Sequence, residues 1–284
     1  MRALTATWLC GLAVLRADMC TAASTAAAVT SADTQFANYA FASELGSGVY
    51  AIDGRTITIY TVPASYELRR AQPRGGRPGI RLLFPFTVGF FDFEPVDLVH
   101  LDVPTSLGAV SLEPGVALEW WLNDAWRVYP YVKGGATYAS SSAANAVIWG
   151  AGVRSDYRFD AFDGKSLYRA ELTYAGVHYP QSDLPNDSFT RLRNGLEWRR
   201  NVPSWEFRGR ALQLGPYAFT DIYFNAPEGP ASGISARTLQ WEAGLMFDIV
   251  PGWEMFGMAL PRLGIGYREA GILSGWRLVL GDPF

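Results

Sequence analysis

The chain has 284 residues, of which 18% are charged and 14% aromatic, and its formal net charge is -3. That balance points away from a nucleic-acid partner, which usually requires a basic patch, and the charged share lies below the roughly 25% of ordinary soluble domains. The length allows one large domain or two small ones.

Met1 and Arg2 give a short positive start, followed by an apolar run at 3–15 and the small-residue stretch "CTAASTAAAV". Ala26–Ala28 offers a cleavage site, so residues 1–28 read as a secretory signal and 29–284 as the mature domain. Cys10 and Cys20 both fall in the signal, which leaves no cysteine for a disulfide. Arg16, Ala17, Asp18 and Met19 are poor neighbours for a lipoprotein anchor at Cys20. No later segment supplies the ~20 apolar residues of a membrane helix. Segment 34–46, "TQFANYAFASELG", reads as a short helix inside the fold or as an extra strand.

Beyond about residue 55 the chain alternates apolar and polar residues with period two, the strand signal. "RRAQPRGGRPG" (69–79) is a basic turn, and a long connection follows at about 94–107. In 108–122, Val110, Leu112, Val116, Leu118 and Trp120 oppose Ser111, Glu113 and Glu119. Asn123-Asp124 is a short turn. In 145–160, Val147, Trp149, Ala151, Val153, Tyr157 and Phe159 oppose Gly150, Gly152, Arg154, Asp156, Arg158 and Asp160. Residues 161–165 make a second short turn. In 166–180, Tyr168, Ala170, Leu172 and Tyr174 oppose Arg169, Glu171 and Thr173. After a long connection at 181–188, Leu192, Leu196 and Trp198 oppose Arg191, Arg193, Glu197 and Arg199. A short turn is expected at 201–204 ("NVPS"), then an uncertain parity over 204–224 with a bulge near Gly209 or Gly215. A long connection at 225–236 precedes 237–250, where Leu239, Trp241, Ala243, Leu245, Phe247 and Ile249 oppose Thr238, Gln240, Glu242, Gly244 and Asp248. Pro251-Gly252 is the last short turn, and the sequence closes on "GWRLVLGDPF".

These apolar strings are longer than the ~5–6 residues of an ordinary strand and suit the ~9–11 residues of a tilted membrane strand. Aromatics gather at strand ends: Trp120, Trp121, Trp126, Trp198, Trp205, Trp253, Trp276, Tyr138, Tyr179, Tyr223 and Tyr267. Amphipathic rings there resemble the two aromatic girdles of a membrane barrel. Lipid offers no partner to an open sheet edge, so the strands must close on themselves. The expected fold is all-β, a closed antiparallel transmembrane β-barrel of about twelve strands, with ten as the second choice and a short N-terminal lumen helix.

A Sec-type signal, no mature cysteine, a dozen alternating strands and terminal Phe284 resemble a Gram-negative outer-membrane β-barrel, most closely the solitary autotransporter-like, translocator-type barrel. The resemblance covers about 36–284. It implies residence in the outer membrane, contact with its lipids and lipopolysaccharide, a monomer, and handling by the barrel-assembly machinery through the C-terminal strand. It places Phe284 in the girdle as part of the assembly signal. Asp282-Pro283 departs from that pattern.

The parity facing the lumen would carry Arg127, Lys133, Arg154, Arg158, Arg169, Arg191, Arg193, Arg199, Arg208, Arg210, Arg262, Arg268 and Arg277. It would also carry Glu113, Glu119, Asp156, Asp160, Glu171, Glu197, Glu206, Glu242 and Asp248. The expected role is structural or small-solute transport through a charged lumen, with no enzyme activity and no catalytic, cofactor or metal residue assigned. Two alternatives stand beside it. One is a lipid-modifying enzyme using His178 with Ser182, or His100 with Asp102 and Ser106, although neither set has a known spacing. The other is an adhesive barrel acting through its long loops. The acidic stretch "FDFEPVDLVHLD" lacks a recognised calcium-loop spacing, and glycine pairs such as that in "GIGYRE" precede no helix and so are not phosphate loops.

Overall fold

The computed structural model describes residues 43–52, 55–72, 76–91, 107–139, 145–180, 186–207, 209–225, 239–250, 254–255, 258–259, 262–270 and 273–284. Among the described residues, fifteen strand segments occur: β1 (Gly48–Ile52), β2 (Arg55–Arg69), β3 (Gly79–Phe91), β4 (Leu107–Leu112), β5 (Gly115–Trp121), β6 (Trp126–Ala139), β7 (Ala146–Ala161), β8 (Gly164–His178), β9 (Asp187–Phe207), β10 (Arg210–Asn225), β11 (Leu239–Val250), β12 (Glu254–Met255), β13 (Met258–Ala259), β14 (Leu263–Glu269) and β15 (Leu273–Leu280). In the main sheet every pairing is antiparallel, with β11 beside β14, and β1 pairs with β15 from Gly48↔Arg277 to Ile52↔Leu273, which closes the ring. β4 and β5 both run along β3 and form one interrupted stave. β12 and β13 make a separate two-stranded ladder, so the barrel has twelve staves, the first of the two expected counts.

The interruption at Glu113-Pro114 is bridged by backbone bonds, from Glu113 N to the Pro85 carbonyl (3.1 Å) and from Gly134 N to the Pro114 carbonyl (2.9 Å). It drives the Leu112 carbonyl against β6, where a Cβ on residue 135 would overlap that oxygen. Glycine is therefore the residue that fits at Gly135.

The hairpin turns show why some connections were legible. Asn123 Oδ1 accepts from the backbone N–H groups of Ala125 and Trp126, both at 2.9 Å, an Asx-type turn. Phe162 and Asp163 both take positive φ (49° and 56°), the mirror-image turn that matches strand twist. "NVPS" at 201–204 is not a turn. β9 runs on to Phe207 and β10 begins at Arg210, after Gly209 at φ +75°; Arg208 lies outside the described residues. Between Ala211↔Glu206 and Gln213↔Asn201 the register shifts, so 202–205 form a bulge. Nor do β11 and β14 join through a short turn, since β12 and β13 intervene; Pro251 and Gly252 themselves lie outside the described residues. The long connections at 92–106, 181–185 and 226–238 lie outside the described residues.

The two faces separate as the alternation requires. Outward positions such as Val132, Val153, Leu172, Leu196, Leu239, Ile265 and Leu278 are exposed, while Arg169, Asp221, Glu242 and Arg268 are buried. Aromatics cluster outside near both strand ends. Trp126–Tyr157–Phe159 lie toward the short-turn end, and Trp149–Tyr174 and Trp241–Tyr267–Trp276 toward the other. Two rings expected in these girdles are elsewhere. Tyr179 and Tyr223 are almost fully buried, Tyr223 against Phe189 inside the barrel.

Candidate functional site

The barrel interior gathers the charged side chains, and strand register is what brings them together. Arg193 and Asp221 face each other across the β9–β10 ladder. Arg193 donates from Nε to Oδ1 (2.7 Å) and from Nη2 to Oδ2 (2.8 Å) of Asp221, a bidentate pair. From β14, Arg268 Nη2 reaches the same Oδ2 at 2.6 Å, and Arg191 Nε stands 3.9 Å from Oδ1. One fully buried carboxylate thus holds three guanidinium groups.

Glu242 on β11 organises a second group. It accepts from Arg277 Nη1 at 2.9 and 3.1 Å and from the Tyr217 hydroxyl at 2.8 Å. Asp156 on β7 organises a third. Its ladder partners are Arg127 and Arg169. Arg169 binds it through Nε (2.6 Å) and Nη2 (3.0 Å), with Arg127 at 3.6 Å and Arg154 at 3.8 Å. Glu197 pairs with Arg262 and with Arg199 (2.7 Å). Aromatic faces take up the remaining cationic surface, with Arg193 over Phe219 and Arg154 over Tyr129, each 4.3 Å from the ring centroid.

Two chain segments enter this interior. Residues 43–45 form a helical turn, and Glu44 accepts from Lys133 Nζ (2.6 Å) and Arg191 Nη2 (2.7 Å). Lys133 also meets Glu113 at 3.0 Å. Burial alone would raise the Glu44 pKa, but Lys133 and Arg191 outweigh it and hold the carboxyl below its ordinary value. The described part of 34–46 thus matches the lumen-helix reading.

The second segment is 281–284. Gly281 takes φ +90° and turns the chain inward. Phe284 packs edge-on against Tyr217 (6.2 Å between centroids) and Phe219 (6.1 Å), in space that a Cβ on Gly195 would fill. Arg169 Nη1 donates to the Phe284 carbonyl (3.3 Å), Arg277 Nη1 to that of Pro283 (2.9 Å), and Arg262 Nη2 to Asp282 Oδ1 (2.8 Å). The girdle position expected for Phe284 is therefore corrected: Trp276 and Leu278 face outward, and Phe284 is an interior residue.

Most lumen-parity residues occupy the interior, but Arg158, Asp160 and Glu206 are exposed. The alternation missed Asp221, Glu44, Tyr217 and Phe219. His178 is exposed and its Nδ1 shares a hydrogen bond with Asn186 Oδ1 (2.7 Å). His100, Asp102, Ser106, Ser182 and most of the acidic stretch lie outside the described residues. Of the basic turn, Arg69 and Arg77 are exposed, and Arg69 Nε is held by the Pro78 carbonyl at 2.9 Å.

No family model and no curated protein matches the chain. Among solved structures, it is similar to the β-domain of the Bordetella autotransporter BrkA, at 13% identity and a TM-score of 0.51, over 82% of this chain and 93% of that one. The fold is that of an autotransporter β-domain. At this identity the likeness speaks to fold alone. The autotransporter-like barrel here carries a cross-linked interior, and its described residues join staves from β6 to β15 through shared carboxylates.

Proposed function

We propose that this chain is an integral outer-membrane β-barrel protein of autotransporter-like type, acting as a closed structural scaffold. The segregation of its side chains carries this reading. Large apolar groups cover the outer wall between two aromatic clusters, and the charges turn inward. In water this arrangement would expose far more apolar surface than soluble proteins tolerate; in a bilayer it places each face in its favoured solvent. Within this reading the partners are outer-membrane lipids and lipopolysaccharide, and the barrel-assembly machinery reads the C-terminal strand, through Trp276 and Leu278 on its outer face. Each copy works as a monomer.

A second reading, a small pore with weak anion preference, is favoured by one observation. Arg191 and Arg268 each keep Nε and Nη1 without a hydrogen-bond partner. Planar-bilayer recording separates the two. The scaffold reading expects little or no conductance in the parent, and discrete openings once Asp282→Ala and Phe284→Ala free segment 281–284. Steady, anion-selective openings in the parent would replace the scaffold with the pore. Recovery of a folded, soluble monomer without detergent, with no heat-modifiable band in outer-membrane fractions, would overturn both.

A further inference from the structure

Residues 281–284 lie in the barrel interior as a ligand lies in a site. β15 ends at Leu280, opposite Leu263 of β14. Gly281 N donates to the Arg262 carbonyl at 2.8 Å, and its φ of +90° carries the chain inward. Among the described residues, no backbone–backbone hydrogen bond holds 282–284 beyond that one. Side chains of other staves hold them instead. The Phe284 ring packs on the buried cluster of Tyr217, Phe219, Met246 and Val279, with the Arg169 guanidinium 5.4 Å from its centroid. Asp282 is met by Arg262 Nη2 (2.8 Å) and Arg169 Nη2 (3.4 Å). The Pro283 carbonyl accepts from Arg277 and the Phe284 carbonyl from Arg169.

None of these hosts depends on its guest. Arg169 is bound through two nitrogens to Asp156 (2.6 and 3.0 Å), Arg277 to Glu242 (2.9 and 3.1 Å), and Arg262 to Glu197. Withdrawal of 281–284 would leave every one of these guanidinium groups with a carboxylate. It would orphan no buried cation, which is what makes a broken buried pair costly. The Asp282 side chain is already 50% exposed, so its carboxylate returns to water with little change in solvation. What withdrawal uncovers is a hollow with an aromatic floor and three arginines beside it. An apolar body with a few convergent polar groups is the make-up of a ligand site.

We propose that this hollow is a peptide-binding site. Its ligand is an extended segment of another polypeptide that carries a carboxylate two residues before an aromatic ring, and residues 281–284 are the built-in competitor for it. The spacing is that of Asp282 and Phe284. The carboxylate meets Arg262 and Arg169. The ring takes the edge-on geometry that aromatic pairs favour, against Tyr217 and Phe219. Between these two anchors, Arg277 binds only a main-chain oxygen, so the middle residue need not be proline. Gly195 sets the size of the hollow, because a Cβ there would overlap the ring. The inference rests on the scaffold reading for the resting state, in which the chain's own segment fills the interior, and it adds the class of partner that displaces that segment.

Peptide binding to the full chain refolded in detergent micelles tests it. The probe is a fluorescein-labelled, C-terminally amidated Gly-Asp-Pro-Phe peptide, followed by fluorescence anisotropy. The chain carrying Asp282→Ala with Phe284→Ala is expected to bind it saturably. The parent should bind at least about tenfold more weakly, because its own segment competes at the millimolar effective concentration of a tethered ligand. Adding Gly195→Ala to the double variant should abolish binding, as should alanine in place of the peptide's phenylalanine. Phe284→Ala alone is a second way to empty the hollow should the double variant not fold, and heat-modifiable migration reports folding in each. No binding to a folded, emptied variant overturns the site. So does equal binding to parent and variant, or equal binding of the peptide that lacks the ring. Conductance is recorded separately. A silent parent whose emptied variant binds no peptide sinks the site and spares the scaffold, whereas a steadily conducting parent whose variant binds as expected sinks the scaffold and spares the site.

Discussion

Replacing Asp221 by asparagine probes the interior directly. Both Nη2 of Arg193 and Nη2 of Arg268 donate to Asp221 Oδ2, at 2.8 and 2.6 Å, while Arg193 Nε donates to Oδ1 at 2.7 Å. An asparagine keeps one acceptor and offers an NH₂ group to the other donors, and flipping the amide only exchanges which guanidinium bond faces a donor. The shape is preserved and the charge removed, leaving Arg191, Arg193 and Arg268 around a neutral group with no exposure to water. Breaking a buried ion pair on one side costs about 3–5 kcal/mol. With a urea slope of about 3 kcal/mol per molar for a domain of this size, the unfolding midpoint should fall by about 1–2 M. The assay is reversible urea unfolding in lipid vesicles, followed by tryptophan fluorescence and heat-modifiable migration. Arg193→Gln should cost less, because Arg268 would still hold the carboxylate. A loss below about 1 kcal/mol for Asp221→Asn, the size of an exposed pair, would refute the reasoning: water in the lumen would then be screening the cluster.

Ile265→Arg places a charge on the outer wall at a half-exposed position and should destabilise the barrel by about 2–4 kcal/mol in vesicles, measured by the same titration. A neutral result would mean that this strip does not face lipid. Gly135→Ala should cost about 1–3 kcal/mol, as overpacking does, because the new methyl group overlaps the Leu112 carbonyl; proteolysis near the Glu113-Pro114 interruption should accelerate with it. Glu44 has a folded pKa depressed below its ordinary 4.5, so its contribution is present above that value and is lost as pH falls through the folded pKa. The stability gap between the parent and Glu44→Gln should stay constant above about pH 5 and shrink below about 4.5, read from urea midpoints across a pH series.

Much of this architecture could be read from residue order because period-two alternation and closure are strong constraints. Arg169, Arg191, Arg193 and Glu242 all stand on the inward face that their neighbours implied. The failures have local causes. The bulge at 202–205 moves the β9–β10 register by an odd number of residues, so parity could not be carried into β10, and Asp221 went unseen. "NVPS" has turn composition, but bulges and turns draw on the same residues. Tyr179 and Tyr223 were assigned by type, although position in the alternation decides which solvent a ring meets. Glu242 stands on the inward face of β11. With Arg277 and Tyr217 bound to it and no exposed surface, it belongs with Asp221 among the costly sites. Where residues beyond Leu280 would go depends on Gly281 and on an open space beside Gly195, and no periodicity encodes that.

The charge pairs also act as a check on alignment during assembly. On β7 and β8, Asp156 stands opposite Arg169 and Arg154 opposite Glu171. A slip of one residue turns one strand's charges onto the apolar wall. A slip of two keeps every side chain on its proper face, so hydrophobicity alone would accept it. In one direction, however, it sets Asp156 against Glu171, and in the other it sets Arg154 against Arg169. Both near-miss alignments bring like charges together across the ladder. The interior charges thus reject the misfolds that greasiness cannot detect, a proofreading code written along the strands.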